Sequence, residues 1–251
     1  MFLAALLTLT SLATPPTSGP DQETKTRLDK CLDQVADDPV KGEAAASQWR
    51  TEGGGYQARQ CLAVAYANQQ RWDSAATVFE DAAHDAEIAH DTHSADLWAL
   101  AGNAWLAAGN PAKAATALDG AIASGTMEGI ALGEAYLDRA RVRVALDDLP
   151  AARSDLDRAT TSAPDDPLAW LLSATLARRM NDLPRAAKDI REALRRSPDD
   201  ASVHLESGNI AARSGDETAA RASWARVIEL APGSSQSAAA RKALEQFGAE
   251  K

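Results

Sequence analysis

Apolar residues recur along most of the chain at intervals of three and four, the spacing that gives an α-helix one buried face. Alternation of Val and Ile with polar residues, which indicates strands, is missing. Alanine, the strongest helix former, dominates the 45% of residues that are hydrophobic, while aromatic residues make up only 5%. The pattern therefore predicts an all-α protein.

In the C-terminal half this helical pattern repeats every 34 residues. Each copy carries a bulky residue, a small residue, an alanine, a large apolar residue and a closing proline: Tyr136, Trp170 and His204; Ala140, Ala174 and Gly208; Ala152, Ala186 and Ala220; Leu156, Ile190 and Trp224; Pro164, Pro198 and Pro232. Small side chains let two helices cross closely, large ones fill the space between helix pairs, and proline ends the second helix. Because no pair can bury its apolar face alone, the pairs must stack.

The period and the order of residue types resemble the tetratricopeptide repeat (TPR) family over about residues 25–247. The resemblance implies a right-handed α-solenoid of about six helix–turn–helix units with a C-terminal capping helix. In this register the repeats occupy residues 25–234, as units 25–55, 56–94, 95–132, 133–166, 167–200 and 201–234, and the cap occupies 235–251. The first unit is the least regular, since it keeps only Leu28, Leu32, Val35 and Ala44.

The TPR resemblance also implies a binding face, because the first helices of such units line a concave groove that holds a peptide or a helix. The inward positions are Asn103, Arg141, Thr175, Arg178, Arg179, Asn209 and Arg213. Asparagine suits hydrogen bonding to a peptide backbone, and arginine pairs with carboxylates, so we expect an acidic protein partner. The alternative is a solvated face on which these arginines pair with Asp147, Asp148, Asp182 and Glu206. The Lys–Asn pair of the family's carboxylate clamp is missing from the chain.

Two further pairs of residues carry structural expectations. The family resemblance implies a salt bridge within one unit, from Arg139 to Asp155 on the second helix. Cys31 and Cys61 are the only cysteines, and an even count in an exported chain favours a disulfide. The register places both cysteines at nearly the same point of adjacent first helices. The alternative is that both are small buried apolar residues.

The N-terminal sequence favours export. Residues 1–13 are mostly apolar and uncharged, too few to span a bilayer but typical of the core of a signal peptide. The usual preceding Lys or Arg is absent, and a frayed N-terminus of a cytosolic protein is the alternative. Residues 14–24 are rich in Pro, Thr and Ser and predict a disordered tether. We expect a periplasmic protein of a Gram-negative bacterium, with no stable membrane span in the mature chain.

Charge and motifs narrow the function further. The net charge of −10 disfavours nucleic acid as a partner. Catalytic constellations and phosphate-binding loops are missing, and Gly53-Gly54-Gly55 is interpreted as a hinge. No cofactor or metal is expected, although His84, His90 and His93 leave a surface metal site as an alternative to exposed histidines.

The sequence therefore predicts a non-catalytic adaptor that binds another protein during assembly of cell-envelope complexes. A monomer is favoured. The alternatives are a self-associating solenoid that pairs through exposed Trp49 or Trp72, and an accessory subunit of an envelope enzyme or maturation system.

Overall fold

The computed structural model describes residues 20–249 and contains thirteen α-helices and no strand within that range. The helices are α1 (Pro20–Asp37), α2 (Pro39–Thr51), α3 (Gly55–Asn68), α4 (Trp72–Ile88), α5 (Ser94–Ala107), α6 (Pro111–Ala123), α7 (Gly129–Ala145), α8 (Leu149–Ser162), α9 (Pro167–Arg179), α10 (Leu183–Arg196), α11 (Ala201–Arg213), α12 (Glu217–Leu230) and α13 (Ser235–Ala249). The all-α repeat architecture predicted from the sequence is confirmed.

The helices form a stack of consecutive hairpins. Each odd-numbered helix from α1 to α11 packs against the even-numbered helix that follows it, and each even-numbered helix packs against the first helix of the next hairpin. The first helices α5, α7, α9 and α11 also contact one another in turn. The last helix, α13, lies against α11 and α12 and covers the end of the stack.

The turns inside the hairpins share one geometry from α3 onward. Each contains a residue with a positive φ angle, a conformation that favours Gly and Asn: Gln70, Gly109, Asp147, Asn181 and Gly215. In the last four turns the next residue accepts backbone N–H bonds at the start of the second helix: Asn110, Asp148, Asp182 and Asp216. The first hairpin differs, because Asp38 alone separates α1 from α2 and caps α2.

Small residues stand where the two helices of a hairpin cross. A Cβ atom added to Gly102 would lie 2.6 Å from Cγ of Leu118, and one added to Gly208 would lie 2.5 Å from Cδ1 of Trp224. Since real Cβ atoms are essentially never found at such distances, alanine at either crossing would force the facing Leu118 or Trp224 side chain to shift.

The N-terminal part departs from the sequence interpretation at two points. Helix α1 begins at Pro20, so residues 20–24, predicted as part of the tether, are helical. Proline is tolerated in the first turn of a helix, where its missing N–H would have no partner in any case. The proposed signal peptide and residues 14–19 of the tether lie outside the described residues. The prediction that Trp49 is exposed is wrong: it is only 5% exposed, with Arg27 stacked on its ring. Trp72 is half-buried.

The structure joins Cys31 of α1 and Cys61 of α3 in a disulfide whose Cα atoms are 6.2 Å apart. Both cysteines are buried among the apolar residues of the first two hairpins. The bridge therefore ties the least regular hairpin to the stack.

Candidate functional site

The face of the stack lined by the first helices carries two apolar hollows. The first hollow has a volume of about 600 Å³ and lies between α3, α4 and α5. Its walls are Val64, Ala67, Trp72, Phe79, Leu100, Asn103, Ala104, Leu106 and Ala107, with Arg141 of α7 at its border. Leu100 and Ala107 are exposed to solvent here, so the hollow is an open surface feature and not a packing defect of the core.

The second hollow is smaller, with a volume of about 150 Å³, and lies between α7 and α9. It is lined by Ala140, Val144, Leu156, Leu172 and Leu176, and by Arg141, Thr175 and Arg179. Three of the seven groove residues expected from the sequence thus meet around one hollow. Arg141 borders both hollows and so joins them into one groove.

Arg141 and Asn103 converge on one carboxylate of α7. The Asn103 amide donates a hydrogen bond of 2.6 Å to Asp138 Oδ2, and Arg141 Nη1 lies 3.2 Å from Asp138 Oδ1. The Arg141 side chain is still 54% exposed, so most of its donors face solvent. Asn103 is half-buried and its amide is already engaged.

Arg178 is held within the protein. Its guanidinium makes two hydrogen bonds to Glu206 of α11, of 2.7 and 3.1 Å, and Glu206 is only 7% exposed. Asn209 donates a longer bond of 3.4 Å to the same carboxylate and accepts one from the Trp224 indole. Arg178 and Asn209 therefore brace α9, α11 and α12 and have little capacity left for a partner.

The remaining groove residues differ in how far they are engaged. Arg179 is exposed, and no acidic side chain that the structure describes pairs with it. Arg213 donates only to the neutral Asn181 amide, at 3.1 Å, so its charge is not neutralised there. The Thr175 hydroxyl donates to the Leu171 carbonyl of its own helix. The alternative that the groove arginines pair with nearby acids therefore holds for Arg178, which pairs with Glu206, but not for Arg179.

The predicted partners Arg139 and Asp155 form the most buried ion pair of this half of the stack. Arg139 Nε and Nη2 donate to the two Asp155 oxygens at 2.9 and 2.7 Å, and Nη1 donates to Asp119 of the preceding hairpin at 2.7 Å. Burial opposes the charge of Arg139, but the bonds to Asp155 and Asp119 offset it and raise the pKa of the guanidinium. The cluster is structural, since Asp155 is 1% exposed.

Equivalent positions in the next two hairpins carry polar pairs that the sequence interpretation missed. Ser173 donates to Asp189 at 2.5 Å, and Arg153 of the preceding hairpin donates to the Ser173 hydroxyl at 2.7 Å. Burial lowers the pKa of Arg153. In the last hairpin the hydroxyls of Ser207 and Ser223 lie 3.3 Å apart. The separation of 16 residues, shared with Arg139 and Asp155, is the signal that could have revealed these pairs.

The histidine cluster does not form a metal site among residues 20–249, where no three His, Cys, Asp or Glu side chains are placed to hold an ion. His90 has a positive φ angle and His93 precedes α5, so the two do not lie together on one face of a helix. His93 contacts Asp91, which also accepts a hydrogen bond from Tyr56. These bonds, that from Tyr56 above all, lower the pKa of Asp91 to about 2.

Hairpins stacked in register, with an open groove on the face of their first helices, define an α-helical repeat scaffold for binding. The chain belongs to the tetratricopeptide repeat family, whose sequence model matches residues 56–126, 137–179 and 171–235. Proteins of this family bind other proteins or peptides. No curated protein sequence matches the chain significantly.

Solved structures with the same fold include PilF, PilW and YrrB. PilF of Pseudomonas aeruginosa has a TM-score of 0.72 at 15% identity, covering 92% of this chain and 99% of its own. PilW, described as a widely conserved type IV pilus biogenesis factor, has a TM-score of 0.72 at 19% identity, covering 86% and 96%. YrrB, described as a TPR protein with an unusual peptide-binding site, has a TM-score of 0.56 at 18% identity, covering 78% and 96%. At these identities the similarity establishes the fold alone.

Among the described helices, none is both long and apolar enough to cross a membrane.

Proposed function

We propose that this protein is a non-catalytic adaptor that binds a peptide or helix of another protein in the groove formed by the two hollows. The observation that carries the proposal is the placement of both hollows on the face of the first helices, joined by Arg141. An amphipathic helix or extended segment docks in such a groove by inserting apolar side chains into hollows of this kind.

The size of the hollows sets the expected strength of binding. Fully burying one large apolar side chain contributes about 1.5–3 kcal/mol, so two anchors contribute about 3–6 kcal/mol. The loss of translational and rotational freedom on association costs about 4–15 kcal/mol, so polar contacts in the groove must contribute the remainder. We therefore expect reversible binding, with hydrogen bonds from the polar groove residues setting orientation.

We also propose that the protein is exported and acts, as a monomer, in assembly of cell-envelope complexes. The disulfide between Cys31 and Cys61 supports export, because such bridges persist in oxidising compartments. The apolar residues 1–13 support it independently. Similarity over nearly the full length of PilW, a type IV pilus biogenesis factor, makes pilus assembly one system to examine. An accessory role beside an envelope enzyme is the second candidate for the pathway.

A variant that fills the first hollow tests the groove. Ala107 is exposed at the wall of this hollow, and Ala107→Trp would occupy the hollow without entering the core. The matched control is Ala112→Trp, because Ala112 is also exposed but lies on α6 and lines neither hollow. The wild type and both variants carry a tag. Each is expressed in the bacterium that naturally produces the protein, crosslinked in cells with formaldehyde and purified.

We expect the wild type and the control to retain the same partner and Ala107→Trp to lose it, with unchanged circular dichroism. Capture of the same partner by all three proteins would refute the groove assignment. Export is tested separately by fusing alkaline phosphatase after residue 24: activity of the fusion supports periplasmic location, and an inactive, intact fusion argues against it.

A further inference from the structure

The second hollow has the dimensions of a pocket for a single side chain. An apolar cavity of about 150 Å³ is large enough to bind benzene, so the second hollow can accept one leucine or phenylalanine side chain. Its floor consists of alanine, valine and leucine side chains, and Leu156 and Leu176 in it are almost fully buried. A side chain placed there is shielded from water on the protein side.

The border of this hollow is cationic. Arg141 and Arg179 both line it, and both side chains are exposed. The neighbouring arginines are directed elsewhere, since Arg143 contacts Asp155 at 3.2 Å and Arg178 is bound to Glu206. The carboxylate paired with Arg141, that of Asp138, is shared with Asn103. The border therefore has an excess of positive charge although the whole chain is acidic.

We propose that the second hollow recognises an acidic, apolar-anchored segment of a partner protein: one large apolar side chain enters the hollow, and carboxylates on either side of it pair with Arg141 and Arg179. This inference rests on the proposed function, because it specifies the chemistry of the segment that the groove binds. Arginine pairs with carboxylates through charge-assisted hydrogen bonds, which are about twice as strong as neutral ones.

The geometry of the partner follows from the arrangement. On a helical partner, carboxylates three or four residues before and after the apolar anchor lie on the same face as the anchor. On an extended partner, they lie two residues away. Either spacing distinguishes this motif from a general attraction to acidic protein, which would not need an apolar residue between the charges.

A random peptide library displayed on phage tests the inference while the partner is still unidentified. The probe is a library of 15-residue peptides, panned against the full chain, its disulfide intact. The variant is Arg141→Gln with Arg179→Gln, which removes two charges from the border without introducing repulsion toward Asp138. The control is Lys188→Gln with Arg191→Gln, which removes the same charge from exposed positions on α10 that line neither hollow.

We expect the wild type and control to enrich peptides in which Asp or Glu flanks one large apolar residue. A synthetic, fluorescein-labelled peptide of that sequence should bind the Arg141/Arg179 variant about tenfold or more weakly, measured by fluorescence anisotropy. It should bind the control variant about as tightly as the wild type.

Two other results overturn the inference, and they are distinguishable. In the first, Ala107→Trp abolishes binding, but the enriched peptides lack the acidic flanks or bind the Arg141/Arg179 variant as tightly as the wild type. The proposed chemistry of the segment is then wrong and the groove function stands. If no peptide is enriched, or if neither Ala107→Trp nor the Arg141/Arg179 variant weakens the binding of any enriched peptide, the groove function fails as well.

Discussion

Replacing the buried pair Arg139 and Asp155 by apolar residues tests whether the stack tolerates these charges only as a pair. The structure supplies the design, because the equivalent positions of the second hairpin hold Leu62 and Val78. We therefore compare Arg139→Leu, Asp155→Val and the double variant. In each single variant one buried charged group loses its bidentate partner, while in the double variant both charges are gone.

The expected size of the effect follows from burial and distances. Asp155 is 1% exposed and the Arg139 side chain 11% exposed, and removing one member of a buried pair costs about 3–5 kcal/mol. After Arg139→Leu, Arg143 remains 3.2 Å from Asp155, so we expect about 3 kcal/mol. After Asp155→Val, Arg139 still reaches Asp119, which is 57% exposed, and we expect a similar loss.

Apolar replacement of a whole buried pair is often neutral or stabilising, so the double variant should lie within about 1 kcal/mol of the wild type. The assay is urea unfolding followed by circular dichroism, with hydrogen exchange locating the loss to α7 and α8. A double variant as unstable as the single variants would refute the reasoning, because the positions would then require charge for another reason. Single variants that lose less than about 1 kcal/mol would also refute it, since the pair would then behave as an exposed one.

Three further predictions concern stability. Removing the disulfide by Cys31→Ser with Cys61→Ser should lower the free energy of unfolding by about 3–4 kcal/mol, since the bridge closes an interval of 30 residues. Hydrogen exchange should become faster mainly in α1–α3, and unchanged exchange would contradict this. Gly208→Ala should destabilise the folded state by about 1–3 kcal/mol because the added Cβ meets the rigid indole of Trp224. Gly120→Ala should stabilise it by about 0.5–1 kcal/mol, because the nearest atom to its added Cβ is 3.8 Å away. The midpoints of urea unfolding measure both effects. Asp91 stabilises the folded state above pH about 4, and this contribution is lost as pH falls through its lowered pKa of about 2. The unfolding midpoint of the variant Asp91→Asn should therefore decline less steeply over that pH range than that of the wild type. Equal slopes for the two proteins would count against the hydrogen bond from Tyr56 to Asp91.

The repeat was predictable because its signal is geometric. Small residues such as Ala174 and Gly208 are required wherever two helices cross, and this requirement recurs at a fixed interval whatever the surrounding sequence. The proposed groove face followed from the same register, which placed Arg141, Thr175 and Arg179 on one side of the stack.

The state of each charged group was not predictable in the same way. Arg178 and Arg179 are adjacent arginines of the same helix turn, and only the structure shows that Glu206, 28 residues away, engages one and leaves the other exposed. Arg153 likewise donates a hydrogen bond to Ser173 of the next hairpin. Such contacts depend on side-chain reach between hairpins, and several carboxylates compete for each arginine, so spacing alone does not select the partner.

The hollows were also beyond the sequence. The volume of the first hollow depends on how far α3 and α5 stand apart, and that of the second on α7 and α9. Single residues such as Leu100 and Thr175 carry no periodic sign that they border open space. Trp49 shows the same limit, since the apolar pattern did not reveal that Arg27 and Gly54 cover it.

The central claim is that a partner protein lies in the groove formed by the two hollows. A photocrosslinking amino acid placed in cells at Ala107 or Thr175, which line the groove, and at Thr77 or Lys188, which are exposed and line neither hollow, tests it most directly. We predict one covalent adduct of the same mass from both groove positions and none from the other two. Adducts from Thr77 or Lys188, with none from the groove positions, would contradict the account.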